Sequence, residues 1–158
     1  MTITISQMVP AIKRHLSIIG KRLYTKEGKN LFSDITTSTA EDPIHAGYVL
    51  AALQNVRAVL APLTASFATD AAGVATITLA GQARKDGGFE TTLADYIRTY
   101  ATLYGVGEYL GMAHPELADK YRTDAASALT ALQVYAFHKE PPTASASDYK
   151  DSVTGTIT

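Results

Sequence analysis

Apolar side chains recur every three or four residues along two stretches of the chain between residues 90 and 140. This spacing places them on one face of an α-helix. The positions are Leu93, Ile97, Tyr100, Leu103 or Tyr104 and Leu110, followed by Leu117, Tyr121, Ala125, Ala128, Leu132 and Tyr135. Gly111 is predicted to end the first helix and Pro115 to begin the second. The pattern therefore predicts an αα-hairpin, whose apolar stripes other elements must cover.

A similar pattern near the N-terminus predicts a helix with Ser6 as its N-cap and an end near Tyr24. Its basic side chains lie opposite the apolar stripe, and they are Lys13, Arg14, Lys21 and Arg22. Two interpretations stay open: a solvated face, or a surface that meets an acidic partner or DNA.

The next helix is predicted to begin at Asp42-Pro43, where Asp42 caps and Pro43 takes the first helical position, and to end near Pro62. Between residues 65 and 80 the period changes to two, which predicts a β-hairpin with its turn at Asp70-Ala71-Ala72-Gly73. The predicted fold class is mainly α: a four-helix domain with a central αα-hairpin, an inserted short β-hairpin and an extended C-terminal arm.

Pro141-Pro142 separates a helical domain, residues 1–142, from the arm, residues 143–158. The arm contains mostly Ser, Thr and Ala, so we expect it to add nothing to the core. Its end is β-prone, as are residues 2–5, and such ends either complete a neighbour's sheet or fray. The candidate docking residues in the arm are Tyr149, Val153 and Ile157.

Composition narrows the choice of function. The chain has 158 residues, 46% of them hydrophobic, which suits one domain with a buried core. It has no cysteine, so disulfides and thiolate chemistry are excluded. The net charge is −1, but six Lys and Arg against Glu27 give the first 30 residues +5 and leave −6 for the rest. A membrane span needs about 20 apolar residues, and no apolar run approaches that length, so we expect no membrane partner.

Candidate chemistry is sparse. The histidines are His15, His45, His114 and His138, and no two share the spacing of a zinc-binding helix. Gly105-Val106-Gly107 lacks the third glycine of a dinucleotide fingerprint, so we expect it to permit close helix packing instead. We therefore predict no catalytic, cofactor-binding or metal-binding residues, no cofactor and no enzymatic activity. The ladder Tyr96, Tyr100 and Tyr104 is typical of half-buried packing and of interfaces.

The helical hairpin resembles the small head–tail connector, or adaptor and neck, proteins of tailed phages. The resemblance lies in Leu93-x-x-Tyr96-Ile97-Arg98-x-x-Ala101-x-x-Tyr104, in Pro115-Glu116-x-Ala118-x-Lys120-Tyr121 with the alanine-rich helix after it, and in Leu31-Phe32-Ser33-Asp34-Ile35-Thr36. It implies a structural virion protein that forms a homo-oligomeric ring, typically of twelve copies, between the portal and the tail or neck proteins. DNA would pass through its lumen without sequence-specific binding, and the arm would reach a neighbouring protein.

Two alternatives remain from the residues alone. One is a nucleic-acid-binding regulator that uses the basic first helix, which salt-dependent affinity would reveal. The other is a small helical enzyme or ligand-binding protein with a pocket under the tyrosine ladder.

Overall fold

The computed structural model describes residues 1–23, 28, 35, 38–70, 73–80 and 88–138. These residues form four long helices and a small antiparallel sheet, so the predicted fold class is confirmed. The elements in chain order are β1 (Thr2–Thr4), α1 (Ile5–Arg22), α2 (Asp42–Leu60), β2 (Thr64–Thr69), β3 (Val74–Leu79), α3 (Phe89–Ala113) and α4 (Pro115–Phe137). The predicted arm, residues 143–158, and its boundary at residue 142 lie outside the described residues.

Helix α1 begins at Ile5, directly after β1, so the prediction that Ser6 caps it is wrong. Thr4 occupies the N-cap position with an extended backbone, and its side chain makes no capping hydrogen bond. Burial of the apolar neighbours Ile3 and Ile5 holds this junction instead. Pro10 lies inside the helix, where it removes one backbone donor.

A short 3-10 turn, Thr39–Glu41, precedes α2 and changes its predicted start. Ser38 and Glu41 form a capping box around this turn, in which the backbone N–H of Ser38 donates to the Glu41 carboxylate at 2.6 Å. Asp42 is therefore the first helical residue and not the cap, while Pro43 lies in the first turn as predicted. The carboxylate of Asp42 is left free to accept a hydrogen bond from Lys13 at 2.8 Å.

The sheet has the strand order β1-β3-β2. The predicted hairpin is confirmed, with Phe67 opposite Ile77, and at its turn Gly73 has a φ of 75° and donates to the carbonyl of Asp70 at 3.1 Å. The N-terminal strand pairs with β3 of its own chain, placing Ile3 opposite Ala75. Neither alternative for the N-terminal end, completing a neighbour's sheet or fraying, is therefore correct for residues 2–4, because the edge of β3 supplies a partner within the chain.

The central hairpin of α3 and α4 is confirmed, with one correction. Gly111 does not end α3, because the helix continues through Ala113 and only His114 separates it from Pro115. The predicted role of Gly105 and Gly107 in close packing is confirmed. A Cβ added at Gly107 would lie 3.3 Å from the backbone nitrogen of Arg122 in α4.

Helix α2 packs on both α1 and α3, and its residues Val49, Leu53 and Val56 are fully buried. The segment Thr39–Leu63 contains an 18-residue window with a mean hydropathy of 1.2, and by length and composition it could cross a membrane. The expectation that no stretch approaches a membrane span is therefore wrong on these two criteria. The core helix of a protein that does not cross a membrane meets the same two criteria, and α2 is buried in part, with Ile44 and Leu50 exposed.

Candidate interaction surfaces

The most unusual polar group in the described residues is His45, one turn into α2. Its side chain is fully buried, and neither ring nitrogen has a hydrogen-bond partner among the residues that the structure describes. The ring lies 5.0 Å from that of Tyr109 in α3, centroid to centroid. Tyr109 in turn donates its hydroxyl hydrogen to the Glu41 carboxylate at 3.1 Å. The cluster thus ties the start of α2 to the C-terminal half of α3.

Burial and hydrogen bonding shift the pKa values of the three groups in this cluster. Desolvation lowers the pKa of His45 below 6.5, against the opposing pull of the Glu41 charge. The backbone N–H of Ser38 and the hydroxyl of Tyr109 lower the pKa of Glu41. Burial, with the hydrogen bond to Glu41, raises the pKa of Tyr109 to about 12. At neutral pH the arrangement is a neutral imidazole beside a phenol bound to a carboxylate.

In that cluster the Ser38 hydroxyl also donates to the Glu41 carboxylate, at 3.2 Å. The described residues contain no group of three His, Asp or Glu side chains able to hold a metal ion. A cavity of about 200 Å³ lies against Tyr100 and Tyr104, below the size of a typical ligand pocket. The ladder itself is used for packing, since Tyr100 stacks obliquely on Tyr104 and accepts a hydrogen bond from Asn55 at 2.9 Å.

The four basic positions of α1 separate into two groups. Lys13 is an internal contact: its ammonium bonds Asp42 at 2.8 Å and the Ser38 carbonyl at 3.3 Å, which joins α1 to the start of α2. Arg14, Lys21 and Arg22 are exposed, and the last two lie in the final turn, where cations complement the helix dipole. Lys13 is therefore the least available of the four to an external partner.

A groove of about 730 Å³ between α1 and α3 adds a basic residue that the sequence pattern missed. Arg14 and His15 border it from α1, and Arg98 borders it from α3. Arg98 also binds Asp95, one turn earlier in α3, at 2.7 Å, so the groove carries less net charge than its residues suggest. No periodicity in the sequence connects Arg98 to α1; only the packing of the two helices does.

In the described part of the chain, two exposed apolar patches lie at opposite ends of the body. The first patch consists of Ile44 and Tyr48 in α2 with Met112 in α3, whose sulfur accepts a hydrogen bond from the Tyr48 hydroxyl at 3.6 Å. The second patch consists of Val134 and Phe137 near the end of α4. Ile44 is 44%, Met112 65%, Val134 63% and Phe137 40% exposed.

The helix pairings fix the separation of the two patches. His45 at the start of α2 contacts Tyr109 near the end of α3. Near the end of α4, Tyr135 stacks on Phe89 and Tyr96 at the start of α3. Tyr96 and Met112 are 16 residues apart in one helix, which corresponds to about 24 Å along its axis. The sequence holds a signal for the second patch, because Val134 and Phe137 fall outside the apolar stripe of α4.

The predicted docking residues of the arm, Tyr149, Val153 and Ile157, lie outside the described residues and remain predictions. Comparison of the chain with protein-family models, with curated proteins and with solved structures finds no match. The interaction surfaces of the chain itself are therefore the basis for a functional proposal.

Proposed function

We propose that this chain is a non-enzymatic structural protein of a phage virion. It assembles head to tail with copies of itself into a ring that connects the portal to the tail and lets DNA pass through its lumen. The observation that carries the proposal is the pair of apolar patches at opposite ends of the body. The resemblance of the hairpin to phage connector proteins supplies the biological setting, and the ring, the portal and the tail partner follow from it.

Patches at opposite ends favour a particular kind of assembly. A two-fold dimer uses one surface twice and leaves a second apolar patch exposed. A head-to-tail contact joins two different surfaces, so each copy uses both patches, and the series closes into a ring when the rotation between copies permits it. We therefore propose that the first patch of one copy contacts the second patch of the next.

The patch residues have the properties of interface anchors. Met, Phe and Tyr are enriched at the centres of interfaces, where a few buried side chains supply most of the binding energy. Stable contacts bury about 1,200–2,000 Å² in total, so the polar residues around each patch would also be covered. The near-neutral chain suits a channel through which DNA slides, because tight phosphate binding would hinder its passage.

The test uses one charged substitution in each patch. Ile44→Asp and Val134→Asp should each reduce the purified full-length chain to monomers in sedimentation experiments, because a carboxylate buried at the contact is left unpaired. Mixing the two variants should restore a dimer and nothing larger, since each retains one intact patch. Ile18→Asp is the matched control: Ile18 is 43% exposed on α1, outside both patches, and its replacement should leave the assembly unchanged.

A wild-type chain that stays monomeric at all concentrations, both alone and with a portal protein, would contradict the proposal. So would a mixture of the two variants that forms no dimer. Larger assemblies from the mixture would show that the two patches do not contact each other.

The second candidate function is nucleic-acid binding by the basic groove, favoured by Arg14, His15 and Arg98 on its rim. In that case affinity for DNA falls steeply with salt, and Arg14→Glu with Arg22→Glu abolishes it. Lys13→Glu affects binding less, because Lys13 already pairs with Asp42. The connector proposal expects no sequence preference and only weak binding at physiological salt.

A further inference from the structure

We propose that the outer edge of β2 binds the chain's own C-terminal segment, residues 153–158, as a fourth strand of the sheet. This inference does not rest on the proposed function, because a chain that remains monomeric can also bind its own segment. It assigns an acceptor to the arm-docking residues Val153 and Ile157, for which the sequence alone offers none.

Hydrogen bonds on one side of β3 show which backbone groups of β2 face outward. The N–H of Ile77 donates to the Met1 carbonyl at 2.9 Å, and the N–H of Ile5 donates to the Gly73 carbonyl at 2.9 Å. Odd-numbered residues of β3 therefore bond β1, and even-numbered residues bond β2. Consistent with this, the carbonyl of Val74 accepts from the N–H of Asp70 at 3.1 Å.

The register then orients each residue of β2. Ser66 lies opposite Thr78 and Ala68 opposite Thr76, so their backbone groups bond β3. The N–H and C=O groups of Phe67 and Thr69 point to the other side, where no strand among the described residues pairs with them. Within the described part of the chain, they are therefore unpaired backbone groups that another strand could bind.

This edge lacks most of the devices that usually block strand addition. Thr64–Thr69 contains no charged residue and no proline, and its register irregularity lies between Thr64 and Ser66, which leaves Ser66 to Thr69 regular. The other edge of the sheet is only three residues long and runs directly into α1. The edge of β2 is therefore the better acceptor of the two.

The two faces of the sheet match the alternation of the proposed strand. The outer face carries exposed small and hydroxyl residues, which are Thr2, Ser66, Ala68, Thr76 and Thr78. The inner face carries Ile3, Ala75 and Ile77, all buried. At its β2 margin Phe67 is half-buried beneath Arg57, and Thr69 is exposed.

Residues 153–158 read Val-Thr-Gly-Thr-Ile-Thr, with threonine at every second position and no charge. Docked beside β2, they extend the threonine face and place Val153 or Ile157 against Phe67. β1 has the same alternation, with Thr2 outward and Ile3 inward. A shift by one residue would put the threonines against the core, so the pattern also selects the register.

Introduced cysteines test this placement, since the chain has none of its own. Ala68→Cys on the outer face is combined in turn with a cysteine at each position from 154 to 158, and disulfide yield is measured under mild oxidation. We expect yields that alternate, high among Thr154→Cys, Thr156→Cys and Thr158→Cys and low for Gly155→Cys and Ile157→Cys, because side chains of a strand alternate between faces.

Equal yields at all five positions, as from random collision, or no yield at any of them would overturn the proposal. The mass of the product distinguishes the two possible donors: a link within one chain supports the proposal, and links formed only between two chains would overturn it.

Amide hydrogen exchange provides an independent readout. Deleting residues 153–158 should accelerate exchange of the Phe67 and Thr69 amides by on the order of tenfold or more, because their partners are lost. The amides of Ser66 and Ala68, which bond β3, serve as internal controls and should not change. Thr69→Pro removes one outward donor at a position where an edge strand tolerates proline, and should abolish the cross-link while Tm is retained. Unchanged exchange after the deletion would contradict the proposal.

Discussion

At the scale of single residues, the buried side chain of His45 affects the stability of the fold. A buried imidazole with no hydrogen-bond partner among the described residues costs stability, and it costs more when it is charged. The charged groups that face it are Glu41 in the preceding 3-10 turn, Asp42 on its own helix and Lys13 from α1, and burial outweighs the attraction of the two carboxylates. The ring is therefore neutral in the folded state at neutral pH.

Acid should weaken the fold in two separate pH ranges. The folded state lowers the pKa of His45, so the unfolded state binds the proton more readily and stability falls as pH drops below about 6.5. Glu41 also has a lowered pKa, and its contribution disappears as pH falls below about 4.5. We predict that His45→Leu removes the loss of folding stability near pH 6 and leaves the loss of stability near pH 4.

Urea unfolding between pH 5 and pH 8 measures the free energy of unfolding across the first of these pH ranges. His15→Gln is the control, because His15 is exposed and should leave the profile unchanged. An unaltered profile for His45→Leu would contradict the assignment.

A second prediction concerns two glycines in helices. Gly107→Ala should lower the free energy of unfolding by about 1–2 kcal/mol, because the new Cβ meets the Arg122 backbone and α4 must move. Gly47→Ala should raise it by about 0.5–1 kcal/mol, since alanine is the better helix former and nothing lies within 4 Å of its Cβ. Chemical denaturation of both variants measures the difference. Two changes of the same sign would show that the helices do not approach closely at Gly107.

At the scale of elements, the hairpin of α3 and α4 depends on an aromatic contact at its open end. Tyr135 in α4 stacks on Phe89 at 5.5 Å and on Tyr96 at 5.2 Å, both in α3. The corner at His114 connects the other end covalently. Loss of the aromatic contact should therefore separate the helices where no loop joins them.

We predict that Tyr135→Ala lowers the free energy of unfolding by about 3 kcal/mol, through lost burial and lost stacking. Val134→Ala is the matched control one position earlier: its side chain is 63% exposed, so the change should stay within about 0.5 kcal/mol. Thermal and urea unfolding of the two variants at low protein concentration make the comparison. Equal losses would mean that residue 134 is buried.

Sequence periodicity predicted the elements well and their ends poorly. The stripes of α3 and α4 were predicted because burial on one face repeats with the helical period. The start of α1 was not predicted correctly. Burial of Ile3 and Ile5 against the sheet fixes this start, and no side chain caps the helix. Gly111 was expected to end α3, but the helix continues for two more residues, to Ala113.

At the scale of the whole molecule, assembly and stability should be coupled. A partner that binds only the folded chain raises its apparent stability, so Tm of the wild type should increase with protein concentration. Val134→Asp removes one contact surface, and we predict that its Tm becomes independent of concentration while the value at high dilution matches that of the wild type. Calorimetry over a hundredfold range of concentration tests this. A concentration-independent Tm for the wild type would count against self-assembly.

Local sequence patterns were enough to identify the helical segments and the inserted β-hairpin. These features depend on local periodicity, turn residues and residue types, all of which can be recognised along the chain. Only the tertiary structure decided that Lys13 is an internal contact, that His45 is buried, and that Ile44 and Met112 form one patch far from Val134. The same packing pairs β1 with β3 and leaves the outer edge of β2 without a partner strand among the residues that the structure describes. Each of these depends on which surfaces of distant segments meet, and the pattern of a single segment carries no information about its partner.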